Sequence, residues 1–177
     1  MNLSHSENTI LHILNQKPEL GKTAVMKIIY FLQQVTQMEL GYDFDIYTYG
    51  PYSSTVTNHI DTLISNGFIS SMMYDYNDYV GYKLSISESG RLEMNELSDQ
   101  DQKNIKKILK FTEGKSAKDL ELYSTIIFIS VIYLKNKMLH CKENDIINKV
   151  HEIKPHFNKE TIAKSYNELL ERDYIKF

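Results

Sequence analysis

The sequence predicts a mainly α chain with a small antiparallel sheet: a winged helix-turn-helix module, then a helical module for which a second helix-turn-helix is one of two open readings. Three observations predict it. Residues 47–69 (YTYGPYSSTVTNHIDTLISNGFI) combine a Gly-Pro turn, one helix and an Asn-Gly stop before an apolar re-entry. The segments before it carry apolar residues at spacings of three and four. The segments after it alternate as a hairpin and then return to helical spacing.

Glu7–Gln16 is amphipathic through Ile10, Leu11, Ile13 and Leu14, with Ser4 or Ser6 as a cap and Lys17-Pro18 as its end. Lys22–Leu40 carries Val25, Ile28, Ile29, Leu32, Val35 and Met38 on one face, and Gly41 closes it. Asp43–Tyr49 alternates as a half-buried strand. Gly50-Pro51 then turns the chain, because proline forces extended geometry on its predecessor and cannot continue a ladder. Ser53 or Ser54 caps a helix whose apolar face is Val56, Ile60, Leu63 and Ile64. Phe68–Tyr74 and Val80–Ile86 form a hairpin, and Arg91–Leu97 a short helix. Polar Ser98–Gln102 is the expected boundary, so residues 1–100 form the winged-helix-like module and 101–177 a helical C-terminal module packed against it. That second module reads as helices over Lys103–Phe111, Ala117–Lys137, Glu143–Ile153 and Asn158–Glu171, with Tyr174–Phe177 extended or frayed.

A repeat runs at an offset of 106 residues. Thr55-Val56, Ile60, Leu63-Ile64 and Phe68-Ile69 match Thr161-Ile162, Tyr166, Leu169-Leu170 and Tyr174-Ile175, with Asp173 in place of Gly67. Either both copies are amphipathic helices followed by a strand, or the second is a degenerate helix-turn-helix without a wing.

Composition bounds the chemistry. The single cysteine, Cys141, excludes an intrachain disulfide framework and fits a reducing compartment. The N-terminus lacks a basic region before an apolar core, and the apolar run Leu122–Leu134 is too short to span a bilayer, so a cytoplasmic protein without membrane insertion is expected. Glycines are scattered, with no phosphate-binding loop and no Gly-x-Ser-x-Gly. His140, Cys141, His151 and His156 match no standard ligand spacing, and neighbours such as His140 and Cys141 do not face each other on a helix. Asp43 and Asp45 read as a solvated strand face. No catalytic residue, metal or cofactor is therefore expected, and the protein is not expected to be an enzyme.

Charge is uneven. Residues 1–100 carry five basic and twelve acidic residues, a balance of −7; residues 101–177 carry fifteen and eleven, a balance of +4. The helix that would enter a DNA groove, Ser53–Asn66, has no Lys or Arg and carries Asp61. Phosphate contacts supply most non-specific DNA affinity, so an acidic module is poorly suited to that task. Lys103, Lys106, Lys107 and Lys110, with Lys154, Lys159, Lys164 and Arg172, are the better nucleic-acid candidates. The hairpin instead interleaves Met72, Met73, Tyr74, Tyr76 and Tyr79 with Asp75 and Asp78, a composition suited to a protein contact.

The residues also resemble a family. Gly21-Lys22-Thr23 with Met26–Phe31, Tyr49–Ser53, Asn66–Ile69, Leu120–Ile126 and Ile153–Phe157 are similar to segments of the YwgA-like group of bacterial and archaeal proteins, and more distantly to the Panacea domain of SocA-like antitoxins. The resemblance implies a non-enzymatic, mainly helical protein, in the Panacea case an antitoxin or adaptor that binds a partner protein, and it brings no catalytic residues. The expectation is a regulatory protein that binds another protein, antitoxin-like or defence-associated. The alternative is a transcriptional regulator that binds duplex DNA through the basic C-terminal half. A homodimer fits either.

Overall fold

A computed structural model of the chain describes residues 3–75, 80–135 and 143–175. In order the elements are α1 (His5–Gln16), β1 (Leu20–Gly21), α2 (Lys22–Val35), β2 (Asp45–Tyr47), β3 (Gly50–Tyr52), α3 (Ser54–Ser65), β4 (Ile69–Asp75), β5 (Val80–Ile86), α4 (Glu88–Glu93), α5 (Asp99–Thr112), α6 (Ala117–Lys135), α7 (Glu143–Ile153) and α8 (Lys159–Glu171). The protein is mainly helical with small antiparallel sheets. Among the described residues no helix is long and apolar enough to cross a membrane.

The chain forms two compact units. Residues 1–44 and 53–114 make the first; residues 45–52 and 115–177 make the second. This division departs from a boundary at Ser98–Gln102. Those polar residues instead start a helix: Ser98 accepts from the Asp101 amide and caps α5, which belongs to the first unit.

In the first unit, Ser4 and Glu7 form a reciprocal capping box at the start of α1. Helices α1 and α2 bury Ile10, Leu11, Ile13, Leu14 and Val25–Leu32. Helix α2 ends at Val35, short of the expected Leu40. Gln37 takes a left-handed conformation (φ 57°), which breaks the helix. Met38 and Leu40 remain buried, so their apolar spacing looked helical although they sit on non-helical chain. The Gln33 side chain then holds that chain, bonding both the amide and the carbonyl of Tyr42. The three-stranded sheet has the order β1-β5-β4, all antiparallel. Its third strand is thus Leu20–Gly21, between α1 and α2. The segment expected as a strand over Asp43–Tyr49 shortens to β2 and pairs only with β3. Helix α4 starts at Glu88, ahead of the expected Arg91, because Ser87 caps it through the Gly90 amide.

In the second unit, α6 is buried continuously from Leu120 to Ile127 and contacts β3, α7 and α8. Ile146, Val150, Ile162, Tyr166 and Leu169 complete the core. Tyr174 and Ile175, expected as extended or frayed, are buried.

The sequence repeat has a structural counterpart. The Gly67 and Phe68 amides donate to the carbonyls of Ile64 and Leu63, and the Asp173 and Tyr174 amides donate to those of Leu170 and Leu169. Val56, Ile60 and Leu63 are buried in α3, as are the matching Ile162, Tyr166 and Leu169 in α8. Each helix thus ends in the same left-handed turn, with φ 73° at Gly67 and φ 62° at Asp173. The second copy places a side chain where glycine is unstrained. Asp173→Gly is therefore expected to raise stability by about 0.5–1 kcal/mol, and Gly67→Ala to lower it by about 1 kcal/mol, both measured by denaturant unfolding.

Candidate functional site

The first candidate is the β4–β5 hairpin of the first unit. Directly paired residues share a face, so Ile69/Ile86, Ser71/Leu84, Met73/Tyr82 and Asp75/Val80 form one side. At the root of that side Ile69, Leu84 and Ile86 are buried. Further out the same side continues into solvent: Met73 is 70% exposed, Val80 60% and Tyr82 54%. On the opposite side Met72 is 71% exposed, and the Lys83 ammonium sits 3.6 Å above the Tyr74 ring. Apolar side chains on both sides of a strand pair leave surface that a partner would cover. Of the residues expected to bind a partner, Met72, Met73, Tyr74 and Asp75 lie here together. Tyr76, Asp78 and Tyr79 lie outside the described residues.

The basic residues divide between the units. Lys103, Lys106, Lys107 and Lys110 are all exposed on α5 of the first unit, at positions that share one helix face, opposite buried Asn104, Ile105, Ile108 and Phe111. Lys159, Lys164 and Arg172 belong to α8 and its end in the second unit. Lys159 donates to Asn148, and Arg172 donates to Glu168 at 3.1 Å. The basic half of the sequence is therefore divided between two units. By unit, nine basic residues face thirteen acidic ones (−4) in the first, and eleven face ten (+1) in the second.

Lys154 does not belong among the nucleic-acid candidates. It is only 3% exposed. Its ammonium lies 2.9 Å from Glu121 Oε1, an ion pair by distance, and its N–H bonds line up on the backbone oxygens of Tyr47, at 3.1 Å, and Thr48. His156 Nε2 stands 3.4 Å from the same carboxylate oxygen. Gly50 closes the arrangement. Its φ is +86°, and a Cβ there would meet Ser124 Oγ at 3.1 Å, Thr125 Oγ1 at 3.2 Å and the Glu121 carbonyl at 3.3 Å. Three stretches far apart in sequence, Tyr47–Pro51, Glu121–Thr125 and Ile153–His156, thus meet within the second unit. Sequence reasoning noted each stretch but missed that Glu121 and Lys154 pair. A lysine just ahead of a proline gives no periodic signal of burial.

Glu168 is the hub of a second polar cluster. It accepts from the Tyr123 hydroxyl, from Lys115 at 3.4 Å and from Arg172. Partial burial works to raise its pKa, but the Tyr123 hydrogen bond and the Lys115 and Arg172 charges outweigh that and hold it below the usual carboxylate range. The Tyr123 hydroxyl is pushed up to about 12, first by burial and then by its bond to Glu168. Among the described residues, no group of three or more His, Cys, Asp or Glu side chains is placed to hold a metal ion. His151 bonds the Phe157 carbonyl instead, and His140 and Cys141 lie outside the described residues.

These features define a mainly helical protein with a projecting hairpin on one unit and a buried lysine–carboxylate pair in the other. No protein-family model matches the chain. It is similar to a Bacillus subtilis (strain 168) protein named Uncharacterized protein YwgA, with 28% identity over 109 residues. The match covers 62% of this chain and 64% of that protein, less than two thirds of the relative's length.

Two outcomes check this geometry. Lys154→Met leaves the Glu121 carboxylate buried without its cation and should destabilise the second unit by about 3–5 kcal/mol; Gly50→Ala should cost at least about 1–2 kcal/mol through its left-handed backbone alone, both read by denaturant unfolding. Because the Glu168 pKa is depressed in the folded state, its stabilisation is present above the ordinary carboxylate range and is lost as pH falls through the folded value. Glu168→Gln should therefore flatten the acid limb of a stability-against-pH curve.

Proposed function

We propose that the chain is a non-enzymatic regulatory protein that acts in the cytoplasm by binding another protein, antitoxin-like or defence-associated, with the β4–β5 hairpin as its contact surface. The observation that carries this reading is the continuation of the hairpin's core-facing side, from buried Leu84 and Ile86 into exposed Met73, Val80 and Tyr82. Tyr and Met are enriched at the centres of protein interfaces. The order α1–β1–α2–α3–β4–β5 supports a winged helix-turn-helix reading of the first unit, with the hairpin as the wing. The antitoxin part of the proposal rests on the resemblance to the Panacea domain.

The charge favours a protein over DNA at the expected groove helix. Along α3, Lys22 pairs with Asp61 at 2.7 Å, so this cation is engaged with a carboxylate. The second reading, a regulator bound to duplex DNA, is favoured by one observation: the four α5 lysines share an exposed face. Within a unit of balance −4, that face is the weaker candidate.

The test is co-purification of the tagged protein from its own cells. Met73→Thr with Tyr82→Thr keeps a β-favouring cross-strand pair, so it should leave thermal stability nearly unchanged and reduce partner recovery at least about fivefold, the loss expected when an interface side chain worth about 1 kcal/mol is removed. Recovery unaffected by that variant, together with salt-sensitive duplex binding abolished by charge reversal at Lys103, Lys106, Lys107 and Lys110, would overturn the proposal in favour of DNA.

A further inference from the structure

In the three-stranded sheet of the first unit, β4 is an edge strand. Proteins guard such edges, because a row of unpaired N–H and C=O groups is a template for another strand. The other outer strands among the described residues are guarded by length or by proline. β1 has two residues, and β2 and β3 have three each, with Pro51 in β3. β4 has neither device. It runs for seven residues (ISSMMYD) without proline or lysine, and Ser70 to Asp75 are all exposed. No bulge twists it away, since its register with β5 is unbroken over all seven.

The groups on the open edge follow from the ladder. The Ser87 amide donates to the Phe68 carbonyl at 3.0 Å, one pair beyond Ile69/Ile86. Hydrogen-bonded and non-hydrogen-bonded pairs alternate along an antiparallel ladder. Ser70, Met72 and Tyr74 therefore bond to β5, whereas Ser71 and Met73 turn N–H and C=O outwards. Among the described residues, no backbone hydrogen bond reaches Ser71 or Met73 from another element on that side.

We propose that a second copy of this chain occupies the edge, with β4 paired antiparallel to β4 about a two-fold axis at Met72. A second copy always brings a strand of equal length and edge pattern, and in this register the strand is complementary to itself. Ser71 falls opposite Met73 of the second copy, and each gives its N–H to the other's carbonyl, so the outward groups of both residues are satisfied. Met72 meets Met72 of the second copy, which covers a side chain that is 71% exposed in the single chain. Asp75, the strand's sole charge, falls opposite Ile69. The two carboxylates then lie at opposite ends of the ladder, roughly 20 Å apart, beyond the screening length of about 8 Å at physiological salt. The inference stands apart from the partner-protein reading: it concerns the purified chain alone, and its readout is mass rather than partner recovery.

Sedimentation velocity of the full chain from about 1 μM to about 1 mM reads the association. The mass should rise from one chain towards two. Met73→Pro removes an outward N–H that β5 does not use, a change an edge strand tolerates. Met72→Lys leaves the backbone intact and sets like charges directly opposite each other across the axis. Each should weaken association at least about tenfold, with circular dichroism like the parent's. The register is read by oxidative cross-linking with Cys141→Ser as background, which removes the native thiol. Met72→Cys should give a covalent dimer, because residues facing at a non-hydrogen-bonded pair lie about 4.5 Å apart at Cα. Ser70→Cys, roughly 13 Å from its counterpart, should not. A single-chain mass throughout the range, association unchanged in Met72→Lys, or equal cross-linking at residues 70 and 72 would refute this pairing.

Discussion

A lysine ammonium removed from water must find oxygen atoms, and that requirement organises the second unit. Lys154 is carried by the end of α7, next to a proline that stops the helix. The oxygens it finds come from an α6 carboxylate, from the last residue of β2 and from the turn that follows it. One side chain thus ties together three segments that the chain visits at widely separated times. Leaving any of these groups buried without a partner costs far more than the pair itself contributes, so the geometry is held by the penalty of breaking it. The glycine at residue 50 follows from the same constraint. The turn must lie close enough to α6 for its carbonyls to reach the ammonium, and at that distance a Cβ would press on Ser124 and Thr125.

This also explains why residues 45–52 belong to the second compact unit although the chain on either side belongs to the first. A hairpin of three-residue strands has little stability of its own. Its carbonyls are satisfied by Lys154 and its glycine packs on α6, so its contacts lie with the second unit. Sequence distance is a poor guide to membership here, because what matters is where the backbone oxygens find donors.

Local physics was legible in the sequence. The Asn158 cap, a serine cap at residue 53 or 54 that proves to be Ser53, the Asn-Gly stop at residues 66–67, the strand pair around residues 76–79 and the bounds of α7 follow from side-chain chemistry that acts over a few residues. The errors arose where burial and local preference diverge. Met38 and Leu40 extend an apolar rhythm past a helix that Gln37 has already ended. Ser98–Gln102 looks like a linker because a cap and a first helical turn are polar in the same way as a linker. A strand as short as Leu20–Gly21 leaves no alternation to detect, yet it supplies the third strand of the sheet. Met72, Met73 and Tyr74, which the sequence placed on the hairpin, are exposed there. The Glu121–Lys154 pair was not legible, because nothing in either local sequence distinguishes a buried charge from a solvated one. The charge asymmetry between halves, −7 against +4, also weakens once α5 is counted with the unit it joins.

The central claim is that Lys154 fastens the β2–β3 hairpin to α6. Native-state hydrogen exchange tests it most directly. Amides of β2 and β3 should exchange together with those of α6 and α7, and in Lys154→Met they should lose protection while amides of α2 in the first unit keep theirs. Hairpin amides that exchange at loop rates in the parent protein, or that keep full protection in Lys154→Met, would contradict the account.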